Sequence, residues 1–361
     1  MGATRTGTAN LPLHGGKAPA WLFRRMAKLA REITIAIVDE YGSEEMLQRL
    51  SDPYWFQSFG CILGFDWHSS GVTTTLCGAL KEGLRGMERE LGLFVAGGKG
   101  RTSRETPAEV TRWGELISLD PVPLVYASRM SAKVDSAAIQ DGYQLYHHSF
   151  LFTGKGSWAV VQQGMNEATH YARRYHWLSQ SLDSFVNEPH AAVLGEAKSQ
   201  ALDLTAAESD SARKTVADIV RQEEPDKLLV ELKKMKTLSL PARHGIYTRD
   251  LHPDSLAKIL ISTYERQPQD FEQLLGLRGV GPRTIRALSL ISELVYGIAP
   301  AYRDPARYSF AHGGKDGIPY PVDRQTYDRS IELLSKAINK ATLGISEQKD
   351  CFKRLNQMRL S

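Results

Sequence analysis

One stretch of the sequence concentrates side chains that can do metal-assisted chemistry. It contains five of them, namely Asp135, Asp141, His148, Lys155 and Gln163. The aspartates lie in and just after a helical pattern, and two strand-like runs carry the rest. Carboxylates and imidazoles hold divalent cations, and a lysine or glutamine can position a water or a phosphate. A helix followed by two such strands predicts a metal-dependent phosphodiesterase site, with an ordinary exposed hairpin as the alternative.

A second carboxylate and imidazole alternate with aromatic residues at 65–68. On a strand Asp66 and His68 share one face, because successive side chains point to opposite faces. We add both to the predicted catalytic set, although a structural hydrogen bond between them is an alternative. The predicted ligands of a Mg²⁺ or Mn²⁺ ion are Asp66, Asp141 and His148.

A glycine turn between two segments of helical periodicity is the best-defined motif in the chain. Residues 279–281 read Gly-Val-Gly, and Pro282 opens the next segment. The glycines permit a positive φ and a close approach of bare backbone to a ligand. A proline in the first helical position needs no amide partner, and a helix N-terminus attracts phosphate. The spacing predicts two helices joined by a phosphate-binding turn, with Val280 packed into the core.

The residues predicted to contact phosphate lie on this turn and on an earlier basic loop. From the turn and its second helix they are Gly279, Val280, Gly281, Arg283, Thr284 and Arg286. The loop at 97–104 combines backbone amides, hydroxyls and cations, and contributes Lys99 and Arg101. The alternatives are a glycine turn between two packed helices and a solvated surface loop.

The turn resembles the helix-hairpin-helix of DNA-repair proteins, a clamp on the DNA backbone that does not read sequence. With Pro-Val-Asp at residues 321–323, the C-terminal third resembles the glycosylase superfamily of base-excision repair. The resemblance implies that residues 277–284 grip DNA and that Asp323 assists cleavage of the glycosidic bond. Arg283 stands where bifunctional members have a lysine, and arginine stays protonated and forms no Schiff base. A monofunctional glycosylase is therefore implied, with a helix N-cap as the alternative role of Asp323.

Across its whole length the chain resembles an uncharacterised prokaryotic family (DUF763). The resemblance rests on three stretches, residues 7–16, 65–71 and 162–166. It implies no mechanism, but it indicates that the N-terminal half is a specific domain with its own role.

Composition and charge narrow the class of protein. The 361 residues are 42% hydrophobic and 24% charged, with a net charge of +4 that permits a nucleic-acid partner. Three scattered cysteines provide neither a disulfide framework nor the four ligands of an iron–sulfur cluster. The sequence shows no signal peptide and no apolar run of transmembrane length, which predicts a cytoplasmic protein without membrane contact.

The periodic patterns predict an α+β fold. We expect an α+β catalytic domain over residues 1–200 and a solvated helical connector over 201–226. An all-α helix-hairpin-helix DNA-binding domain follows over 227–345, and a charged tail over 346–361. Within the first domain, the basic and aromatic segment 169–182 is predicted to be a helix.

Three functions remain open from the sequence. The favoured one is a metal-dependent DNA nuclease of repair, acting on bubble, flap or single-stranded DNA, because it explains the fusion of a DNA clamp to a polar α+β domain. The second is a glycosylase that uses Asp323 without a metal and leaves an abasic site. The third is a DNA-binding adaptor without enzymatic activity, in which both sites are structural.

Overall fold

The computed structural model describes residues 11–13, 18–65, 70–195, 200–235, 253–306 and 324–359. The helices are α1 (Ala20–Tyr41), α2 (Ser43–Ser51), α3 (Pro53–Ile62), α4 (Gly71–Gly83), α5 (Glu88–Leu91), α6 (Arg101–Arg104), α7 (Thr106–Ile117), α8 (Val122–Lys133), α9 (Asp210–Gln222), α10 (Pro225–Met235), α11 (Pro253–Arg266), α12 (Phe271–Gly276), α13 (Pro282–Leu294), α14 (Arg324–Lys340) and α15 (Ile345–Arg359). A π-helical turn (Val134–Ala138) extends α8. The strands are β1 (Leu93–Lys99), β2 (Ile139–Gln140), β3 (Gln144–Thr153), β4 (Trp158–Asn166), β5 (Tyr171–Leu178), β6 (Ala192–Leu194) and β7 (Leu202–Asp203).

Five antiparallel strands form the central sheet, in the order β1–β3–β4–β5–β6, while β2 and β7 pair separately. The fold is therefore α+β, as predicted. The predicted hairpin is formed by β3 and β4, and a bulge interrupts their register around Tyr146. Because of the bulge, Tyr146 contacts Gln163 whereas His148 contacts Gln162. Consecutive residues of a strand point to opposite faces, so the two polar groups lie on opposite sides of the sheet.

Helices cover both faces of the sheet. On one face, Leu151 and Val161 pack with buried residues of α1 to α4. On the other face, Phe150 and Trp177 pack with α8 and the π-helical turn. Polar side chains within these strands are consequently buried, and each requires a hydrogen-bonding partner.

Local sequence signals determine where α3 begins. The Asp52 carboxylate accepts hydrogen bonds from the amides of Tyr54 and Trp55, at 2.8 and 3.1 Å, and Pro53 occupies the first position of α3. An aspartate cap followed by proline is a typical start of a helix. The aromatic residues that follow are buried, as the sequence predicts.

The C-terminal helices share the core of one sheet face. Buried residues of α9, α12 and α13, such as Ile219, Leu274 and Leu288, belong to the same hydrophobic cluster as Phe150. The predicted connector at 201–226 is thus not a solvated linker, because its apolar stripe packs into this cluster. The position of the domain boundary stays a prediction.

The C-terminal tail also differs from the expectation. The segment predicted as a charged tail lies largely within α15, and Cys351 and Leu355 on this helix are buried. They belong to the cluster on the α1–α4 side of the sheet. Cys351 and Leu355 are one turn apart and so lie on the same side of the helix, and Phe352 packs against the same cluster.

The predicted helix at 169–182 is wrong, because the segment forms strand β5. Its two central arginines are fully buried. Arg173 pairs with Asp141, and Arg174 donates to Gln57 Oε1 at 3.0 Å. These partners are distant in the sequence and lie on opposite faces of the sheet. The local pattern of residues 169–182 could not reveal them.

In the described parts of the chain, no helix is long and apolar enough to cross a membrane. Cys61, Cys77 and Cys351 are buried as free thiols. Burial raises the pKa of the Cys77 thiol to about 12. The thiol therefore stays protonated at neutral pH and is a poor nucleophile.

Candidate nucleic-acid interface

A cleft of about 1090 Å³ opens between α7, α8 and β3 and extends to the end of α12 at Gly276. Its lining is mostly apolar, with two tyrosines, Tyr126 and Tyr146. Three cations also line it: Arg104, Arg129 and Lys133. A concave surface with aromatic rings and a positive rim suits a negatively charged ligand that carries planar groups.

The predicted glycine turn lies beside this cleft, between α12 and α13. Gly279 has a φ of +93°, which favours glycine, and Val280 is only 1% exposed, as predicted. Gly281 has an extended backbone with a φ of −149°, and a Cβ built there meets no atom within 4 Å. Only Gly279 is therefore required by the backbone itself, whereas Gly281 leaves open space outside the turn.

The second helix of the hairpin begins with unused donors. No side chain caps α13, and Pro282 has no amide hydrogen. The N–H groups of Arg283 and Thr284 are therefore available to an anion, and the Arg283 side chain is exposed beside them. The Thr284 side chain is 1% exposed, so only the backbone amide of this residue is accessible for the predicted phosphate contact. Arg286 donates to Gln140 Oε1 at 2.7 Å and so stabilises the hairpin.

Further polar contacts attach the hairpin to α8 and β2. Lys133 donates to the carbonyl oxygen of Val280. Gln140 donates to the carbonyl of Pro282 at 2.9 Å, and the Tyr126 hydroxyl donates to Glu272 at 2.5 Å. Since α8 supplies both Lys133 and Tyr126, the turn and the cleft form one continuous surface.

The predicted basic loop at 97–104 borders the other side of the cleft. It is not a loop throughout, because β1 extends to Lys99 and α6 covers Arg101–Arg104. The Lys99 ammonium lies 5.7 Å from the centroid of the Tyr146 ring, and the Arg101 side chain is 93% exposed. Of the residues in this segment, Ser103 and Arg104 line the cleft.

Three lining residues, Ser128, His148 and Gln162, form what we call the cleft floor. Ser128 Oγ lies 2.9 Å from His148 Nε2, and His148 Nδ1 lies 2.9 Å from Gln162 Oε1. Gln162 Nε2 in turn donates to Asp135 Oδ2 at 2.5 Å. All four side chains are at least 94% buried. The floor is thus the outer end of a hydrogen-bonded chain that begins at Asp135.

The partners of Asp135 determine the direction of this chain. The Trp177 indole, which can only donate, lies 3.0 Å from Asp135 Oδ2, so this oxygen accepts. Gln162 must then present its amide hydrogens to Asp135 and its oxygen to His148. His148 consequently carries its proton on Nδ1, and Nε2 accepts the hydroxyl proton of Ser128. The other Asp135 oxygen lies 2.6 Å from His190 Nε2.

Burial controls protonation in the chain. It lowers the pKa of His148 to about 4, so the imidazole is neutral at pH 7. Burial also raises the pKa of Asp135, against the opposing effects of His190 and Trp177. The imidazole is therefore unprotonated at Nε2, the nitrogen that accepts the hydrogen bond from the Ser128 hydroxyl.

Asp141, predicted as a metal ligand, is instead part of a buried ion pair. Its Oδ2 accepts from Arg173 and from the Tyr175 hydroxyl, each at 2.8 Å, and its Oδ1 accepts the amide of Tyr143. Arg173 also donates to Asp304 at 2.8 Å. Burial disfavours this guanidinium, but the surrounding oxygens, Asp141 first, raise its pKa overall. We therefore assign Asp141 to the fold.

Two other predicted catalytic residues lie away from the floor. Gln163 is on the opposite sheet face, where it bonds to Thr73, to the Ser70 carbonyl and to Tyr146. Lys155 is an exposed residue of the β3–β4 turn, 3.4 Å from Glu44. At about 3.3 Å per strand residue, that turn is roughly 16 Å from His148. The members of the predicted set that the structure describes therefore do not converge.

The remaining predicted residues, Asp66, His68 and Asp323, lie outside the described residues. The proposed metal ligands Asp141 and His148 direct their oxygens and nitrogens to protein partners. Among the residues that the structure describes, no group of three or more His, Cys, Asp or Glu side chains could hold a metal ion. Dependence on Mg²⁺ or Mn²⁺ stays a prediction.

Sequence reasoning did not single out Ser128, Arg173 or His190. Ser128 is one of two serines on α8 and carries no local signal. The paired glutamines at 162 and 163 were a usable signal, because amides inside a buried strand need partners. Their assignment required the register of β3 and β4, which pairs His148 with Gln162.

Comparison with known proteins identifies the family only. No curated protein and no solved structure is significantly similar to the chain. The sequence profile of a family described as "Protein of unknown function (DUF763)" matches residues 7–322, and the chain belongs to this family.

Proposed function

We propose that this protein binds DNA through the sugar–phosphate backbone, without reading sequence. The observation that carries the proposal is the attachment of the glycine turn to the cationic cleft through Lys133 and Val280. The turn presents backbone amides and Arg283, and the cleft presents Arg104 and Arg129. Contacts of this kind position a strand by its phosphates.

The geometry agrees with the helix-hairpin-helix resemblance. An uncapped helix N-terminus provides two amide donors to one phosphate, and the extended Gly281 leaves room for that phosphate to approach. The cations of the cleft then continue the path along the strand. The Tyr126 ring, which is 44% exposed and lines the cleft, adds a face on which an unpaired base can stack, which favours DNA with single-stranded segments.

Arg283→Gln tests the phosphate contact. We expect weaker binding of a labelled single strand, with the salt dependence of log K falling by about 0.7, the value for one lost phosphate contact. Fluorescence anisotropy over a series of salt concentrations measures both. The matched control is Arg89→Gln, an exposed arginine on α5. Equal affinities and slopes for the two variants would refute the proposed contact.

Gly281→Ala tests the close approach of backbone to phosphate. Because the added Cβ meets no protein atom and φ is extended, the variant should keep the melting temperature of the wild type. A methyl group between turn and phosphate should nevertheless weaken DNA binding at least fivefold. Unchanged affinity would place the phosphate elsewhere. Gly279→Ala is less informative, since its positive φ strains any alanine.

Enzymatic activity on the bound DNA stays a proposal. Labelled single-stranded, duplex, bubble and flap DNA, incubated with Mg²⁺, Mn²⁺ or EDTA and resolved on denaturing gels, separates the alternatives. Fragments that require metal indicate the predicted nuclease. Breaks that appear only after alkali on damaged duplexes, even in EDTA, indicate a glycosylase, and Asp323→Asn should then abolish them. Binding without cleavage leaves the adaptor function.

A further inference from the structure

We propose that Ser128 and His148 form a nucleophile and general base that hydrolyse a phosphodiester lying in the cleft. The inference rests on the proposed DNA binding for its natural substrate, and on the cleft floor for its chemistry. It differs from the metal-dependent site that the sequence predicts, because the nucleophile and the general base are both side chains of this protein.

The arrangement has the three features that activate a serine. The nucleophile oxygen lies 2.9 Å from the base nitrogen, and Gln162 holds the far side of the imidazole. Gln162 is itself oriented by the buried Asp135 carboxylate. Gln162 and Asp135 are therefore positioning residues, which keep the acceptor nitrogen of His148 directed at Ser128. The other two serines that line the cleft, Ser103 and Ser136, donate to the backbone carbonyl oxygens of Gly100 and Lys133.

The charges around the floor indicate the substrate class. Arg104 and Arg129 line the same cleft as Ser128, and Lys133 lies one turn beyond Arg129 on α8. Guanidinium groups bind phosphate oxygens and stabilise the negative charge that increases when an oxygen attacks phosphorus. The site is accordingly suited to an anionic phosphodiester.

The reaction balances without another reactant besides water. Ser128 Oγ forms a bond to phosphorus while its proton passes to His148 Nε2. The bond from phosphorus to the leaving sugar oxygen breaks, and that oxygen takes the proton from His148. A water molecule then attacks the phosphoserine, gives one proton to His148, and the Ser128–phosphorus bond breaks as Oγ is reprotonated. The products are a phosphomonoester and an alcohol.

The test uses the full-length protein in EDTA with two substrates, a labelled single-stranded DNA and bis(p-nitrophenyl) phosphate. Wild type is compared with Ser128→Ala and with the matched control Ser131→Ala, which removes a buried hydroxyl one turn along α8. We expect the wild type and the control to cleave at least one substrate at similar rates. Ser128→Ala should be at least 100-fold slower, with DNA affinity within twofold of wild type.

The two substrates separate failure of this inference from failure of DNA binding. Cleavage of the small phosphodiester without DNA binding supports the Ser128 site and refutes the proposed function. DNA binding without cleavage of either substrate overturns the Ser128 site alone. A loss below 100-fold in Ser128→Ala, or an equal loss in Ser131→Ala, also overturns it.

A second measurement needs no variant and applies if Ser128→Ala does not fold. A fluorophosphonate probe added to the wild type should phosphonylate Ser128 Oγ with release of fluoride, as detected by mass spectrometry of the peptide. The absence of label on Ser128 would overturn the inference.

Discussion

The assignment of Asp141 to the fold rather than to catalysis makes a quantitative prediction for Asp141→Asn. The aspartate and its partner Arg173 are almost completely buried, at 1% and 0% side-chain exposure. Asparagine keeps the oxygen that accepts the amide of Tyr143. In place of the second oxygen it presents an amide NH₂ group to the Arg173 guanidinium and to the Tyr175 hydroxyl. Both partners then lose their acceptor.

The magnitude follows from the loss of one partner of a buried ion pair. Breaking such a pair costs about 3–5 kcal/mol, because the remaining charge is buried without full compensation. Asp304 still accepts from the other terminal nitrogen of Arg173. We therefore expect the lower end, about 3 kcal/mol, and a decrease in melting temperature of roughly 4 °C for a chain of this size.

Thermal unfolding followed by circular dichroism measures the effect. The matched control is Glu332→Gln, whose carboxylate is 2.9 Å from Lys336 in an exposed pair on α14. That variant should shift the melting temperature by less than about 1 °C, since exposed ion pairs contribute little. Equal shifts would refute the role assigned to Asp141. Loss of metal-dependent cleavage at an unchanged melting temperature would return Asp141 to an active site.

Two further predictions concern residues first assigned to catalysis. The pKa of His148 is about 4 in the folded chain and about 6.5 in the unfolded chain. Between these pH values the unfolded chain binds more protons, so the free energy of unfolding falls as the pH falls. His148→Gln should reduce this slope by about 1 kcal/mol per pH unit in urea titrations at pH 6 and 5, and an unchanged slope would contradict a buried neutral imidazole. Lys155→Ala should leave DNA affinity and cleavage within twofold of wild type, because this side chain is 80% exposed at a turn beside Glu44. A tenfold loss in gel-shift or cleavage assays would show that the turn reaches the ligand.

The sequence by itself determined the elements whose signals are local. The Gly-Val-Gly-Pro stretch predicts a turn between helices because glycine permits the positive φ at 279 and proline starts a helix. The apolar stripe of α1, with Ile33 and Ile37, predicts a helix with one buried face, and the structure confirms it. The β3–β4 hairpin was visible for the same reason, since its strands and turn are contiguous.

Only the tertiary structure determined the burial and the roles of the polar residues, because their partners are distant in the sequence. In the sequence, Arg173 and Arg174 indicate an exposed helix. In the folded chain they are buried on β5, and their partners Asp141 and Gln57 lie on opposite sides of this strand. A buried charge is tolerated only with such partners, and no local pattern reports them.

The cleft floor also exists only in the tertiary structure. Ser128 on α8 and His148 on β3 meet because the helix packs across the sheet and the register of the hairpin sets Gln162 behind the imidazole. The residue types that could do chemistry are visible in the sequence. Which of them point into the cleft, and which neutralise one another in the core, depends on strand register and on burial, which exist only in the folded chain.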